Sequence, residues 1–286
     1  MPQKGLVRTK LSPYFTTLDG GKIQCELCPR RCLVPNGKRG FCRVRENRDG
    51  KCYSLVYGNP CVIYLDRIER EPFFHVLPGT SSLTLSTAGC NFRCKFCENW
   101  EISQAFPEDV YSQEFGPQLV VKKAKQMGAH SIAYTYAEPT IFYEYMSDIA
   151  YHAKRKGLLN VIHSNGFINQ GPLRDLCKLI DAAHIDLKGF TKASYRELSE
   201  GDRRPVLETL KVLKQEKVHL EVSTLIIPTK NDEMSAVRDL SLWVKRELGP
   251  DTPVHLSRFY PLYKLQRLPP TPVSTLEKAR ETALAS

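Results

Sequence analysis

From residue 82 to the C-terminus, short apolar runs alternate with helical stripes. Residues 82–87 alternate polar and apolar side chains as a strand does, and residues 117–127 carry Leu119, Val120, Ala124 and Met127 in a helical stripe that stops at Gly128. A second strand-like run, 132–136, leads to a helix opened by Pro139 and closed by Gly157. Further strands are predicted at 160–163, 183–187, 218–227 and 254–260, with helices after Pro172, over 191–199, 205–217 and 232–248, and from Ser274. Six strand–helix units in series imply parallel strands joined by right-handed crossovers. Six are too few to close an eight-stranded barrel, so the expected fold is α/β, an open partial (β/α)6 barrel with its site at the carboxyl ends of the strands.

Residues 1–80 follow another pattern. A polar lead-in with turns at Ser12-Pro13 and Asp19-Gly20-Gly21 runs to about residue 24, and then comes Cys25-x2-Cys28-x3-Cys32-x9-Cys42, interleaved with Pro29, Pro35, Gly37 and Gly40. Four thiols this close together suit a structural zinc or an auxiliary iron-sulfur cluster, and the spacing does not choose between them. Ligation would stabilise a segment with few large apolar residues of its own. Residues 51–57 and 61–66 read as strands joined in a hairpin by Gly58-Asn59-Pro60, with Cys52 and Cys61 buried or incidental, and residues 66–75 read as a charged connector. The expected division is a cysteine-rich accessory segment, 1–80, and a barrel, 81–286.

The loop after the strand at 82–87 reads Ala88-Gly89-Cys90-Asn91-Phe92-Arg93-Cys94-Lys95-Phe96-Cys97. Three thiolates from one loop, Cys90, Cys94 and Cys97, can each take one corner of a [4Fe-4S] cube. The fourth iron then has an open position for a small chelating molecule, as a catalytic zinc does. The plainer readings are a zinc knot, which needs a fourth ligand nearby, or buried thiols without metal. Composition adds little: of 286 residues 42% are hydrophobic and 25% charged, which is ordinary for a globular chain. The net charge of +10 is spread over what would be solvated faces and turns, so nucleic acid is not an expected partner. Ten cysteines without a signal peptide or a long apolar run indicate a reducing compartment, and the chain reads as soluble and cytoplasmic, without a membrane partner.

With Phe96 before the third cysteine, the motif resembles the signature of the radical S-adenosylmethionine (SAM) enzymes. That resemblance implies SAM on the open iron, reductive cleavage to a 5'-deoxyadenosyl radical, and hydrogen abstraction from a substrate. The strand ends fit the same pattern. Glu138, in Tyr136-Ala137-Glu138-Pro139, stands where the family carries a group for SAM's ammonium, although two glycines usually precede it; its plainer role is to favour the helix dipole. Ser164 and Asn165, in Ser164-Asn165-Gly166, suit ribose or carboxylate oxygens. Asp186 and Lys188, in Asp186-Leu187-Lys188, place a lysine to pair with the SAM carboxylate, and the backbone near Phe96 would meet the adenine. Arg258 and Tyr260 on the last strand are candidate substrate contacts.

These motifs in this order resemble the pyruvate formate-lyase activating enzyme family. The resemblance to the radical SAM component of the AmmeMemoRadiSam system is closer, covering about residues 23–280 and including Cys25-Glu26-Leu27-Cys28-Pro29 and Ser257-Arg258-Phe259-Tyr260-Pro261. It implies a low-potential electron donor such as flavodoxin or ferredoxin, and a substrate that is either a glycyl-radical protein, another protein or a small molecule. His163 stands where activating enzymes carry an Asp that helps bind a monovalent cation, which puts such a cation in doubt. Members of the closer family commonly continue into a second cysteine-rich tail, so a chain ending at Ser286 reads as a shorter or truncated member. The alternative from another class is a non-catalytic iron-sulfur or zinc sensor or assembly protein.

Overall fold

The protein is described here from a computed structural model, over residues 2–286. One seven-stranded sheet organises it, its strands β1 (Val62–Arg67), β2 (Ser81–Ser86), β3 (Ser131–Tyr134), β4 (Leu159–Ser164), β5 (Ala182–Asp186), β6 (His219–Ile226) and β7 (Val254–Arg258) lying side by side in chain order. The six strands from β2 to β7 are parallel, and β1 pairs antiparallel with β2 along the edge. Helices α1 (Pro117–Gln126), α2 (Tyr143–Lys154), α3 (Gln170–Cys177), α4 (Lys192–Ser199), α5 (Arg203–Gln215), α6 (Met234–Glu247) and α7 (Val273–Leu284) make the crossovers and close the chain. Most boundaries fall within two residues of the sequence reading. The exception is the helix opened by Pro139, which begins as a short 3-10 turn, Pro139–Phe142, before α2. No helix among the described residues is long and apolar enough to cross a membrane.

Alternation along the strands separates two layers. Leu83, Leu85, Ile132, Tyr134, Ile162, Ile185, Leu220 and Val222 pack with the helices in the main core. Ala133, Val161 and Ala182 belong to a second cluster with Ile68, Phe73 and Val76. The connector at 66–75 is therefore more than a charged link. Its apolar members plug the lower half of the barrel, where burying a side chain the size of Ile68 or Phe73 stabilises by about 1.5–3 kcal/mol.

A carboxylate fastens this plug. Glu221 on β6 has no exposed surface and accepts from His255 Nε2 (2.7 Å) and from the backbone N–H groups of Phe74 (3.3 Å) and His75 (3.0 Å). Burial alone would raise its pKa, but these donors outweigh it and hold the carboxyl down at about 2. Beside it, His184 on β5 is also fully buried, and burial followed by the neighbouring His163 pushes its pKa down to about 3.

The hairpin expected across Gly58-Asn59-Pro60 does not form. Lys51–Ser54 pairs with Arg45–Arg48 and Lys10–Leu11, while Val62–Arg67 crosses to β2 and becomes the edge of the main sheet. An apolar run that alternates over six residues fits either partner, and only the free edge of the barrel decides between them. The N-terminal region also holds a second three-stranded sheet, Phe15–Thr17, Ile23–Cys25 and Leu33–Val34, and a two-stranded pairing of Gln3–Lys4 with Tyr111–Ser112. A buried bidentate ion pair ties the region to α2: Arg45 Nη1 to Glu144 Oε1 at 2.8 Å and Nη2 to Oε2 at 2.7 Å, with Ser12 Oγ accepting a second bond from Nη1 and the Ile141 carbonyl one from Nη2.

Two predictions follow from these buried charges. Glu144→Gln leaves the Arg45 guanidinium buried without its counter-charge, and denaturant melts should show a loss of about 3–5 kcal/mol, partly restored when Arg45→Met is added. Because unfolded His and Glu side chains bind protons near pH 6.5 and 4.5 while folded His184 and Glu221 do not, stability should fall as the pH drops from 6.5 towards 3. In His184→Leu the slope of stability against pH between 6.5 and 4.5 should shrink by about one proton per chain; an unchanged slope would remove His184 from the account.

Candidate active site

The cysteine loop leaves β2 at Thr87 and is held from three sides. Gly89 adopts φ 96°, and a Cβ there would lie 2.6 Å from the Cys42 carbonyl oxygen and 2.7 Å from Val44 Cγ1, so only glycine lets the loop lie against the N-terminal region. The carbonyls at the end of α4, which have no partners within the helix, accept the N–H groups of Arg93 (Ser199 O, 3.0 Å) and Lys95 (Leu198 O, 2.8 Å). A one-turn helix, Trp100–Ser103, supplies the third side, with the Gly89 N–H donating to the Ile102 carbonyl at 2.9 Å.

Cys90 and Cys94 are buried and Cys97 half-buried, and all three thiols line one cavity of about 320 Å³ at the carboxyl ends of the strands. Burial pushes the thiols up, Cys94 to about 11. Among the described residues, no three cysteine sulfurs come within 4.8 Å of one another.

Of the residues singled out in sequence, Phe96, Ser164, Asn165, Asp186 and Lys188 line the same cavity. The Lys188 ammonium pairs with the Asp186 carboxylate and sits 5.7 Å from the centre of the Phe96 ring. Burial disfavours both charges, but their attraction wins, raising the lysine pKa and, with His163 Nε2 at 3.0 Å from Asp186 Oδ1, holding the carboxyl well below its ordinary range. Ser223 donates a further hydrogen bond to the same carboxylate.

Glu138 lies behind the cavity wall, fully buried. Its Oε1 accepts from the Thr140 N–H (3.0 Å) and Ser164 Oγ (2.7 Å), and its Oε2 from the Asn165 N–H (2.9 Å). It caps the turn that starts α2 and pins the strand end of β4, so three of its roughly four acceptor sites are taken by the protein. Asn165 passes the constraint on: its Nδ2 donates to Asn91 Oδ1 at 2.8 Å, between the first two residues of the cysteine motif and the β4 turn. Tyr136 occupies the place of an expected glycine with φ 62°, the left-handed backbone glycine favours, and is held there by Asn99 Nδ2 donating to its carbonyl at 3.0 Å.

Arg258 and Tyr260 do not line the cavity. Ser257 does, because neighbours on a strand face opposite ways. Arg258 instead donates to the Thr271 carbonyl at 2.7 Å and stacks over the half-exposed Tyr260 ring. Sequence reasoning passed over Asn91, His184, Glu221, Ser223 and His255. Only their inward parity on β5, β6 and β7, read together, marks the strand residues among them. His184 carries both ring nitrogens buried without a hydrogen-bond partner among the described residues, stacked on His255 (5.4 Å) and edge-on to His163 (4.9 Å). The four N-terminal cysteines, Cys25, Cys28, Cys32 and Cys42, converge on a separate small cavity behind the catalytic loop.

Comparison with known proteins matches this geometry. The family described as the radical SAM superfamily covers residues 84–240. An uncharacterized protein of Methanocaldococcus jannaschii is 42% identical over 271 residues, 95% of this chain and 80% of its own. Another protein of that organism, provisionally named a glycyl-radical enzyme activating enzyme, is 26% identical over 186 residues, 60% of this chain and 75% of its own. In fold the chain is similar to the crystal structure of a radical SAM methyltransferase from Sphaerobacter thermophilus, with a TM-score of 0.56 at 13% identity over 100% of this chain and 74% of that one. The chain therefore belongs to the radical SAM superfamily, enzymes that work with a [4Fe-4S] cluster and S-adenosylmethionine.

Proposed function

We propose that Cys90, Cys94 and Cys97 hold the [4Fe-4S] cluster and that SAM lies between them and the strand ends at Ser164–Asn165 and Asp186–Lys188. The observation that carries this reading is the sharing of one cavity by three thiols of a single loop and a buried, ion-paired lysine. When bound, the cluster supplies the electron that cleaves SAM, giving the 5'-deoxyadenosyl radical that takes a hydrogen atom from substrate.

The chain's own residues bind, orient and shield. Lys188, kept charged by Asp186, is the cation for the carboxylate of SAM's methionine end, and the Phe96 face lies beneath it. Asn165 and Asn91 lock the β4 turn to the cysteine loop, so the two halves of the pocket keep their separation. Glu138 is a positioning residue for that turn. It supports the geometry from behind and needs no contact with SAM. The plug beneath excludes water from below the pocket, as the chemistry of a reactive radical requires.

The substrate we favour is a protein, as the activating-enzyme relative suggests. Trp100 follows the cavity-lining Asn99 in the chain and is 41% exposed and stacked on Tyr263 at 5.3 Å and 9°, an aromatic surface of the kind enriched where another macromolecule binds. A low-potential one-electron donor, flavodoxin or ferredoxin, completes the set of partners.

Two experiments test these roles. Anaerobically reconstituted protein should bind about four irons at the barrel cysteines, with spectra that shift on adding SAM, and the Cys90/Cys94/Cys97→Ala variant should lose both those irons and SAM cleavage. Retention of full iron and cleavage would end the assignment. For Glu138→Gln the geometry predicts a stability loss of about 1.5–3 kcal/mol in a thermal melt, with SAM affinity at low temperature changed by less than about threefold. A tenfold loss of affinity at unchanged stability would instead make Glu138 a ligand of SAM's ammonium.

A further inference from the structure

We propose that Cys25, Cys28, Cys32 and Cys42 hold a second iron-sulfur cluster, of the [4Fe-4S] type, with all four corners ligated by protein. This rests on different residues from the barrel site and stands or falls separately from it.

All ten cysteines of the chain are free, and these four line one cavity together, with Arg30 and Asn91 among its other walls. Zinc at such a site would draw its sulfurs together. Four thiolates at about 2.3 Å from one ion stand about 3.8 Å apart. Among the described residues the groups of three ligand atoms within 4.8 Å consist of histidines and carboxylates alone, so no three of the four N-terminal sulfurs are gathered as closely as one zinc would hold them. The barrel trio likewise does not have its three sulfurs within 4.8 Å of one another, and it is the trio to which we assign a cube.

The surroundings agree with an anionic cluster. The Phe41 N–H points at Cys32 Sγ (3.4 Å), the type of donor that tunes cluster sulfurs. Arg30 is held over the Phe41 ring at 3.8 Å with its Nε donating to the Asn91 carbonyl at 3.0 Å, placing a guanidinium on the cavity wall. Arg31 and Arg43, each next to a proposed ligand, take left-handed backbone at φ 42° and 71°, strain that ligation by Cys32 and Cys42 would offset. The segment's own apolar cluster is small, Ile23, Val34 and Cys52, so a ligated cluster supplies the cross-links that a larger core would otherwise provide.

The position gives the cluster a second task. Asn91 lines the N-terminal cavity, is the neighbour of Cys90 and accepts from Asn165, while the Cys42 carbonyl abuts Gly89. The two cysteine sites thus share a wall one residue thick, and the proposed cluster forms the backing of the catalytic loop.

The test uses the full chain, reconstituted anaerobically with iron and sulfide and freed of unbound metal, with iron, sulfide and zinc counted and Mössbauer spectra recorded. The wild type should carry about eight irons and no zinc, Cys28→Ser/Cys32→Ser about four, and Cys90/Cys94/Cys97→Ala about four in a cluster whose spectrum does not respond to SAM. About four irons with one zinc in the wild type would make this a zinc site, and four irons without zinc would leave ordinary thiols; either result overturns the proposal. If the N-terminal variant does not fold, the barrel variant decides, since an iron-free Cys90/Cys94/Cys97→Ala protein excludes a second cluster.

Discussion

The Glu138 carboxylate takes hydrogen bonds from Thr140, Ser164 and Asn165 where solvent does not compete, and the architecture of the site hangs on that buried point. In a low-dielectric surrounding each of these charge-assisted bonds is strong, and an unmet partner would be costly, so the start of α2 and the end of β4 are fixed relative to one another. Asn165 extends the constraint to Asn91 and so to the cysteine loop. Three segments far apart in sequence thereby behave as one rigid cup.

The barrel interior is divided by the same logic of burial. Its lower half is apolar and filled by Ile68, Phe73 and Val76. Its upper half is a layer of imidazoles and carboxylates, His163, His184, Asp186, Glu221 and His255, each placed by inward parity on a different strand or on alternate positions of one. Lys188 and His163 keep Asp186 ionised while Ser223 donates to it, and His255 with two backbone N–H groups keeps Glu221 ionised. Between them His184 remains neutral because its burial costs more than protonation would gain.

The N-terminal region is built as a wall of this cup. Its buried Arg45–Glu144 pair clamps it to α2, and the approach of Gly89 to Cys42 leaves no room for a side chain between the two cysteine loops. The first strand of the main sheet also comes from this part of the chain, crossing from residue 62 to cover the edge that β2 would otherwise expose.

What the sequence determined by itself was local. The spacing of Cys90, Cys94 and Cys97 lies within one loop, so the chemistry of three thiolates could be read without knowing where the loop sits, and the alternation of strands with helices was legible because each element carries its own period. The tertiary structure decided what depends on contacts between distant segments. Val62–Arg67 could have paired with the strand before it, and only the open barrel edge drew it away. Ser257, and not Arg258, faces the cavity because a strand's parity is set by its neighbours in the sheet. Glu138 looked the same in sequence whether it faced a ligand or the protein; its partners Ser164 and Asn165, 26 and 27 residues away, are brought to it only when β3 and β4 pair in register. Motif chemistry resides in neighbouring residues, whereas the assignment of a buried charge to its partners is a property of the folded sheet.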